Sequence, residues 1–194
     1  MNDVVYPPGQ ESIITGLHEL GYSANSLAEL RQPGSRYRKA IPFLVDALST
    51  TGDRNTLHEI VLTLSISWAK PEATRPLIDL FQKVDDGTIL QWAVGSALCS
   101  TWDDREFDDL VRLAKDRRYG RSREMIVLGL ARSKRPEAGD VLIGLLDDPD
   151  VNGHAVNALR KLKVPAARAG LEKMLDDPRT WVRKEARRAL EAIS

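Results

Sequence analysis

Leu142-Ile143-Gly144-Leu145-Leu146 is one copy of a segment that recurs along the chain. The other copies are Leu44-Val45-Asp46-Ala47-Leu48, Leu77-Ile78-Asp79-Leu80-Phe81, Leu110-Val111-Arg112-Leu113-Ala114 and Leu171-Glu172-Lys173-Met174-Leu175. Successive copies lie 33, 33, 32 and 29 residues apart. A second marker, a small residue followed by Leu, interleaves with it as Thr63-Leu64, Ala97-Leu98, Gly129-Leu130, Ala158-Leu159 and Ala189-Leu190. Its spacings are 34, 32, 29 and 31. Two independent markers drifting together at one period are the mark of a repeat array. Apolar residues recur at i, i+3 and i+4, which is helical, and no alternating strand pattern is present. Each unit is therefore a helix pair. One pair cannot bury its apolar face alone, so the pairs are expected to stack into an all-α, right-handed α-solenoid of about five repeats.

The punctuation fits. Pro71, Pro136 and Pro165 each stand six residues before the first Leu of a first helix, where an opening turn tolerates Pro. Asp148-Pro149 and Asp177-Pro178 are expected to be the N-cap and first residue of second helices. The spacing predicts helices over 36–50, 55–68, 71–84, 88–101, 104–116, 121–133, 136–147, 151–162, 165–176 and 179–193. Two short stretches, 10–20 and 25–31, break the period. They are expected to form a cap over residues 1–35, ahead of one continuous repeat domain over 36–194, because a terminal repeat must hide an otherwise open apolar face.

Composition excludes several classes. A chain of 194 residues can bury about 70% of its unfolded surface without a disulfide or metal staple. Its single cysteine, Cys99, can form no internal disulfide, which points to a reducing, cytoplasmic compartment. No apolar run approaches the roughly 18 residues of a membrane span, and Met1 to Gln10 lack signal-peptide order. Lys plus Arg balances Asp plus Glu, 28 against 28, so attraction to nucleic acid or membrane by net charge is excluded and only local patches remain.

Asp176-Asp177-Pro178-Arg179-Thr180-Trp181-Val182-Arg183-Lys184-Glu185-Ala186-Arg187-Arg188-Ala189-Leu190 resembles the second helix of a HEAT repeat, and more closely the HEAT-like type of phycobilisome lyases. The resemblance covers roughly residues 36 to 194, with Asn152, Gln91 and Leu57 departing from the Arg that opens the second helix. It implies that an Asp of the turn pairs with that Arg along the stack, as Asp177 with Arg183 and Asp116 with Arg123. On function such repeats are nearly silent.

Chemistry-bearing constellations are sparse. His18-Glu19 and His58-Glu59 are similar to the His-Glu pairs that hold iron in HEAT-repeat deoxyhypusine hydroxylases. A diiron site needs several such pairs at equivalent positions, and Ala93, Met125, Gly153-His154 and Lys184-Glu185 do not supply them, so no metal or cofactor is expected. Cys99 has no His within a helical turn and reads as a buried small residue rather than a nucleophile. No Gly-rich phosphate loop, nucleophile elbow or zinc spacing is present.

Two surface features remain. Residues 103–109 carry a net charge of −4 and residues 112–135 a net of +7, which largely complements helix dipoles. That does not cover Arg117, Arg118, Arg121 and Arg123, gathered with Tyr119 and Gly120 at a turn that could hold phosphate. Aligned on the marker Leu, the second helices show His58, Trp92, Glu124, Gly153 and Lys184 at one position. The next positions of that face are Leu62, Ser96, Leu128, Asn157 and Arg188, then Ile66, Ser100, Arg132 and Lys161. Such a concave face runs from apolar (Leu62, Ile66, Trp92) to basic (Arg132, Lys161, Arg188) and suits an acidic, partly hydrophobic protein segment. The plainer reading keeps Leu62 and Leu128 as core between helix layers, and Trp68 and Trp102 as packing between repeats. The expectation is a monomeric, non-enzymatic protein-binding scaffold. The alternatives are a nucleic-acid binder using the turn and the basic groove, and a bilin-lyase-like enzyme of the same repeat type.

Overall fold

The computed structural model describes residues 6–84 and 89–193, and among these every regular element is helical. The helices are α1 (Glu11–Glu19), α2 (Leu27–Leu30), α3 (Ile41–Thr50), α4 (Arg54–Leu64), α5 (Thr74–Lys83), α6 (Ile89–Ser100), α7 (Phe107–Lys115), α8 (Glu124–Gly129), α9 (Ala138–Gly144), α10 (Asn152–Leu162), α11 (Arg168–Lys173) and α12 (Thr180–Ala192). Short 3-10 turns extend several of them: Arg38–Ala40 leads into α3, Asp104–Glu106 into α7 and Arg117–Arg123 into α8, which Leu130–Arg132 prolongs.

The pairs form as the spacing requires, and local chemistry sets their ends. Asp53 caps α4 by accepting the Thr56 N–H at 2.6 Å. Ser26 caps α2 from Glu29 N–H at 3.1 Å, and the Glu29 carboxylate returns to Asn25 N–H at 2.7 Å, a reciprocal arrangement that satisfies two free donors. Helix α4 stops at Leu64, short of the expected residue 68. Ser65 and the β-branched Ile66 favour leaving the helix, and Ile66 is extended with φ −134° and ψ 144°. Asp148 and Asp177 are not N-caps. Their carboxylates accept N–H groups two residues on, from Asp150 at 3.2 Å and Arg179 at 2.9 Å, and helices α10 and α12 begin only at Asn152 and Thr180.

Second helices α4, α6, α8, α10 and α12 touch in unbroken succession, while the first helices meet one another less closely. The layer with the shorter path between neighbours is the inner, concave one. Small residues permit the close approach: the residues before the marker Leu, Thr63, Ala97, Gly129, Ala158 and Ala189, are all buried. A Cβ on Gly129 would stand 2.7 Å from the Trp102 ring, and one on Gly95 would stand 2.9 Å from the Ser122 carbonyl oxygen. One hydrophobic core runs from Ile13, Ile14 and Leu17 to Val182, Ala186 and Ala189.

The N-terminal segment is a shortened helix pair that continues both layers, with α1 against α3 and α2 against α4. Arg31, just past α2, reaches the Glu59 carboxylate at 2.7 Å and the Thr63 hydroxyl at 3.1 Å. The Tyr37 hydroxyl donates to the Thr63 carbonyl at 2.8 Å, and burial pushes its pKa up.

Candidate functional site

The second-helix layer brings Trp92, Ser96 and Leu62 onto the concave side. Trp92 on α6 is 45% exposed, one of four large hydrophobic side chains that stay open to solvent among the described residues. Leu62 and Leu128 are half-buried and Leu62 packs on the core, so they floor the surface rather than project from it. Ile66 does not share the helical face of Leu62. It lies beyond the end of α4 on extended chain, half-buried against the core. Ser100 accepts a hydrogen bond from Ser65 at 3.3 Å, which ties α6 to the end of α4.

The basic part of the face divides in two. Arg132 and Lys161 are exposed and make no carboxylate ion pair among the described residues. Both lie close enough to Cys99 to oppose the burial that pushes its thiol pKa up. Arg188 is held by Glu185 at 2.7 Å, and Glu185 also takes Arg160 at 2.9 Å. The Cys99 thiol is buried and free, and its raised pKa keeps it protonated and poorly nucleophilic near neutrality.

The arginine turn is electrostatically occupied. Arg118 closes on Asp116 at 2.6 Å, Arg121 on Glu124 at 2.7 Å, and Arg117 approaches Asp148 at 3.5 Å. Arg123 is fully buried and pairs with Asp148 at 2.9 Å, not with Asp116, while its Nη2 points towards Asp150 at 3.6 Å. Four guanidinium groups thus face four carboxylates, from Asp116, Glu124, Asp148 and Asp150. Gly120 makes the turn possible with φ 48° and ψ −132°, which a side chain would resist. Asp148 lies where burial alone would raise a carboxyl pKa, and the hydrogen bond and charge of Arg123 more than reverse that.

The expected Asp177–Arg183 pair also takes another form. Arg183 donates to the Asp177 and Pro178 carbonyl oxygens at 2.7 and 2.9 Å, whereas the Asp177 carboxylate holds Arg179 at 2.8 Å. Arg179 reaches the Asn152 side chain and the Pro149 carbonyl of the preceding unit. Where Arg123 enters the next turn directly, Asn152 is too short and Arg179 reaches back instead. The acidic stretch is likewise spent between units. Asp104 accepts from Ser133 at 2.6 Å, Lys134 N–H at 2.8 Å and Trp102 Nε1 at 3.0 Å, and Arg75 pairs with Glu106 and Asp109.

A second aromatic on the rim lay outside the expected face. Trp181 at the start of α12 is 44% exposed, seated over Gly153 and edge-on to His154 with centroids 5.7 Å apart. The Arg179 guanidinium lies 5.7 Å from its centroid. Burial lowers the His154 pKa, opposed by Glu124 and reinforced by Arg121 and Arg179. The register carried the signal: Trp181 stands nine residues before Leu190, as Ile89 stands before Leu98. Among the described residues no group of three or more His, Cys, Asp or Glu is placed to hold a metal ion, and no helix is long and apolar enough to cross a membrane.

Residues 107–191 match the family model described as HEAT repeats. A designed armadillo repeat protein is similar in structure at 19% identity, covering 97% of this chain and 96% of its own, with a TM-score of 0.53. The crystal structure of an engineered protein matches over 80% of this chain and 79% of its own, at 22% identity and a TM-score of 0.48. None of the curated proteins compared matches this chain. The chain is an all-helical repeat solenoid, and HEAT repeats are matched over its residues 107–191.

Proposed function

We propose that this chain is a non-enzymatic scaffold that binds a protein partner along its second-helix face. The observation that carries the reading is Trp92, a large aromatic left 45% exposed on a layer whose floor is otherwise packed. Exposed aromatics on a rigid surface supply much interface energy at little entropic cost. Arg132 and Lys161, free of carboxylates on the same layer, suit an acidic segment in the partner, and such charges raise association rate and specificity. The lone buried thiol accords with a reducing, cytoplasmic setting.

The nucleic-acid alternative loses support at its leading feature, because every arginine of the turn already faces a carboxylate. Among the described residues nothing in the geometry favours a bilin-lyase-like reaction.

The test is selective capture from native extract. A partner retained by the wild-type chain and by Arg118→Ala, but lost from Trp92→Ala of unchanged melting temperature, supports the reading. Capture indifferent to Trp92→Ala overturns it.

A further inference from the structure

The N-terminal helix pair carries a cleft of about 560 Å³, far from the Trp92 layer in sequence and lined by Leu20, Gly21, Tyr22, Arg36, Arg38 and Lys39. A depression of about 310 Å³ adjoins it, sharing Tyr22 and Arg36 and adding Ser23, Gln32 and Ser35. Volumes of this order suit small-molecule ligands.

Three cations line the cleft and no carboxylate does. Many arginines elsewhere are closed on carboxylates, as Arg31, Arg75, Arg105, Arg112, Arg118, Arg121 and Arg123 show. Arg36, Arg38 and Lys39 are three exposed cations within four residues, and none makes an ion pair among the described residues. The carboxylate of the adjoining depression, Glu29, is already engaged by the Asn25 N–H. Like charges that line one cleft without an ion pair repel one another, and an anion relieves that.

The backbone that presents them is fixed. Tyr37 is buried and anchored through its hydroxyl to Thr63, which pins the chain between Arg36 and Arg38. Arg38 lies over the Trp68 ring at 5.8 Å. In the other lining segment Tyr22 N–H donates to the Leu17 carbonyl at 3.0 Å and Gly21 N–H to the His18 carbonyl at 2.9 Å, and the His18 ring is hydrogen-bonded to the Ala24 carbonyl at 2.9 Å. Gly21 takes φ +88°, which turns the chain between the 40% exposed Leu20 and Tyr22. The cleft thus brings three cations together with an apolar and an aromatic side chain.

We propose that this cleft binds a phosphate monoester, its dianion met by Arg36, Arg38 and Lys39 and its apolar or aromatic body resting on Leu20 and Tyr22. Arginine forks match phosphate oxygens bidentately, and a lysine adds a point charge.

Calorimetric titration of the full chain with inorganic phosphate, phenyl phosphate and adenosine monophosphate tests it at fixed ionic strength. At least one ester is expected to bind tenfold or more tightly than inorganic phosphate. That affinity should fall at least tenfold in Arg36→Ala and in Lys39→Gln, both exposed positions. It should be unchanged in Lys184→Ala, an exposed cation at the other end of the chain. Absence of ester binding, equal affinity for inorganic phosphate, or equal weakening by Lys184→Ala would each overturn the proposal.

Discussion

Arg123 Nη1 lies 2.9 Å from Asp148 Oδ2, with the two side chains 0% and 4% exposed, and the pair joins the second helix of one repeat to the turn of the next. The guanidinium also donates to the Ala114 carbonyl at 3.0 Å and the Gly120 carbonyl at 2.8 Å. Removing one partner of a buried pair strands the other charge in low dielectric, which costs about 3–5 kcal/mol. Asp148→Asn is therefore expected to lower stability by about 3 kcal/mol in urea unfolding, and Arg123→Met by less. The double variant is expected to recover part of the loss. A double variant as unstable as the sum of the singles would show that the two charges do not depend on each other.

Glycines in the second helices separate fixed walls from movable ones. A Cβ at residue 95 meets the Ser122 carbonyl oxygen, and at residue 129 the buried Trp102 ring and the Cys99 backbone, so neither neighbour can give way easily. Gly95→Ala and Gly129→Ala are expected to lose about 1–3 kcal/mol despite the better helix propensity of Ala, with Gly129→Leu at the upper end. At Gly153 the nearest obstacle is the ring of the half-exposed Trp181, which can swing outward, and the next is the buried Val182 side chain at 3.0 Å, which needs to give by only a few tenths of an ångström. Gly153→Ala is expected to stay within about 0.5 kcal/mol of wild type, because the propensity gain of about 1 kcal/mol offsets the displacement. Trp fluorescence should shift in Gly153→Ala, where the ring moves towards solvent, and not in Gly95→Ala, whose neighbours include no Trp.

The pH dependence has two windows. Burial lowers the folded-state pKa of His154 below its ordinary 6.5, so the unfolded chain binds more protons there. Stability from this group is complete above about pH 6.5 and drains as pH falls towards the folded value. His154→Gln is expected to flatten the fall of melting temperature between pH 7 and 5.5. The second window is acidic. Asp53, Asp103, Asp116, Asp148 and Asp177 have lowered pKa values, so their contribution is present above about pH 4 and is lost below it as they protonate. A melting temperature flat from pH 5 to 3 would contradict the pairing at these turns.

The helix pairs were legible because burial repeats: the two Leu markers recur at spacings of 29 to 34 residues wherever a helix must face the core. Element ends were less so, since Ser65-Ile66 breaks α4 early for local reasons that periodicity does not weigh. The ion pairs escaped sequence reading for a different reason. An Asp and an Arg in one motif invite pairing within that motif, but Arg123 crosses to Asp148, 25 residues on, because stacking brings the next turn closer than its own. The same packing places Trp181 over Gly153, which single-helix alignment does not show. The concave face remained half-legible. Register gives which residues share it, whereas exposure, as at Trp92 and Arg132, follows from how closely neighbouring helices approach.

The concave face and the arginine turn predict opposite responses. With a purified partner, Trp92→Ala is expected to weaken binding by about 2 kcal/mol, since a desolvated Trp near an interface centre commonly contributes that much. Its melting temperature must match wild type, and 45% exposure makes that the expected result. Lys161→Glu and Arg132→Glu should slow association and reduce its dependence on salt, as charges on an interface rim do. Arg117→Ala and Arg118→Ala should leave the partner's affinity within about 0.5 kcal/mol, because exposed pairs contribute little. If the turn instead holds phosphates of nucleic acid, those two substitutions will weaken binding to random-sequence DNA and lower its salt slope by about one per lost contact, while Trp92→Ala leaves it unchanged. Stopped-flow and equilibrium titrations of these variants against both ligands decide between the surfaces. Partner binding that falls with the turn variants and ignores Trp92→Ala would move the interface away from the second-helix layer.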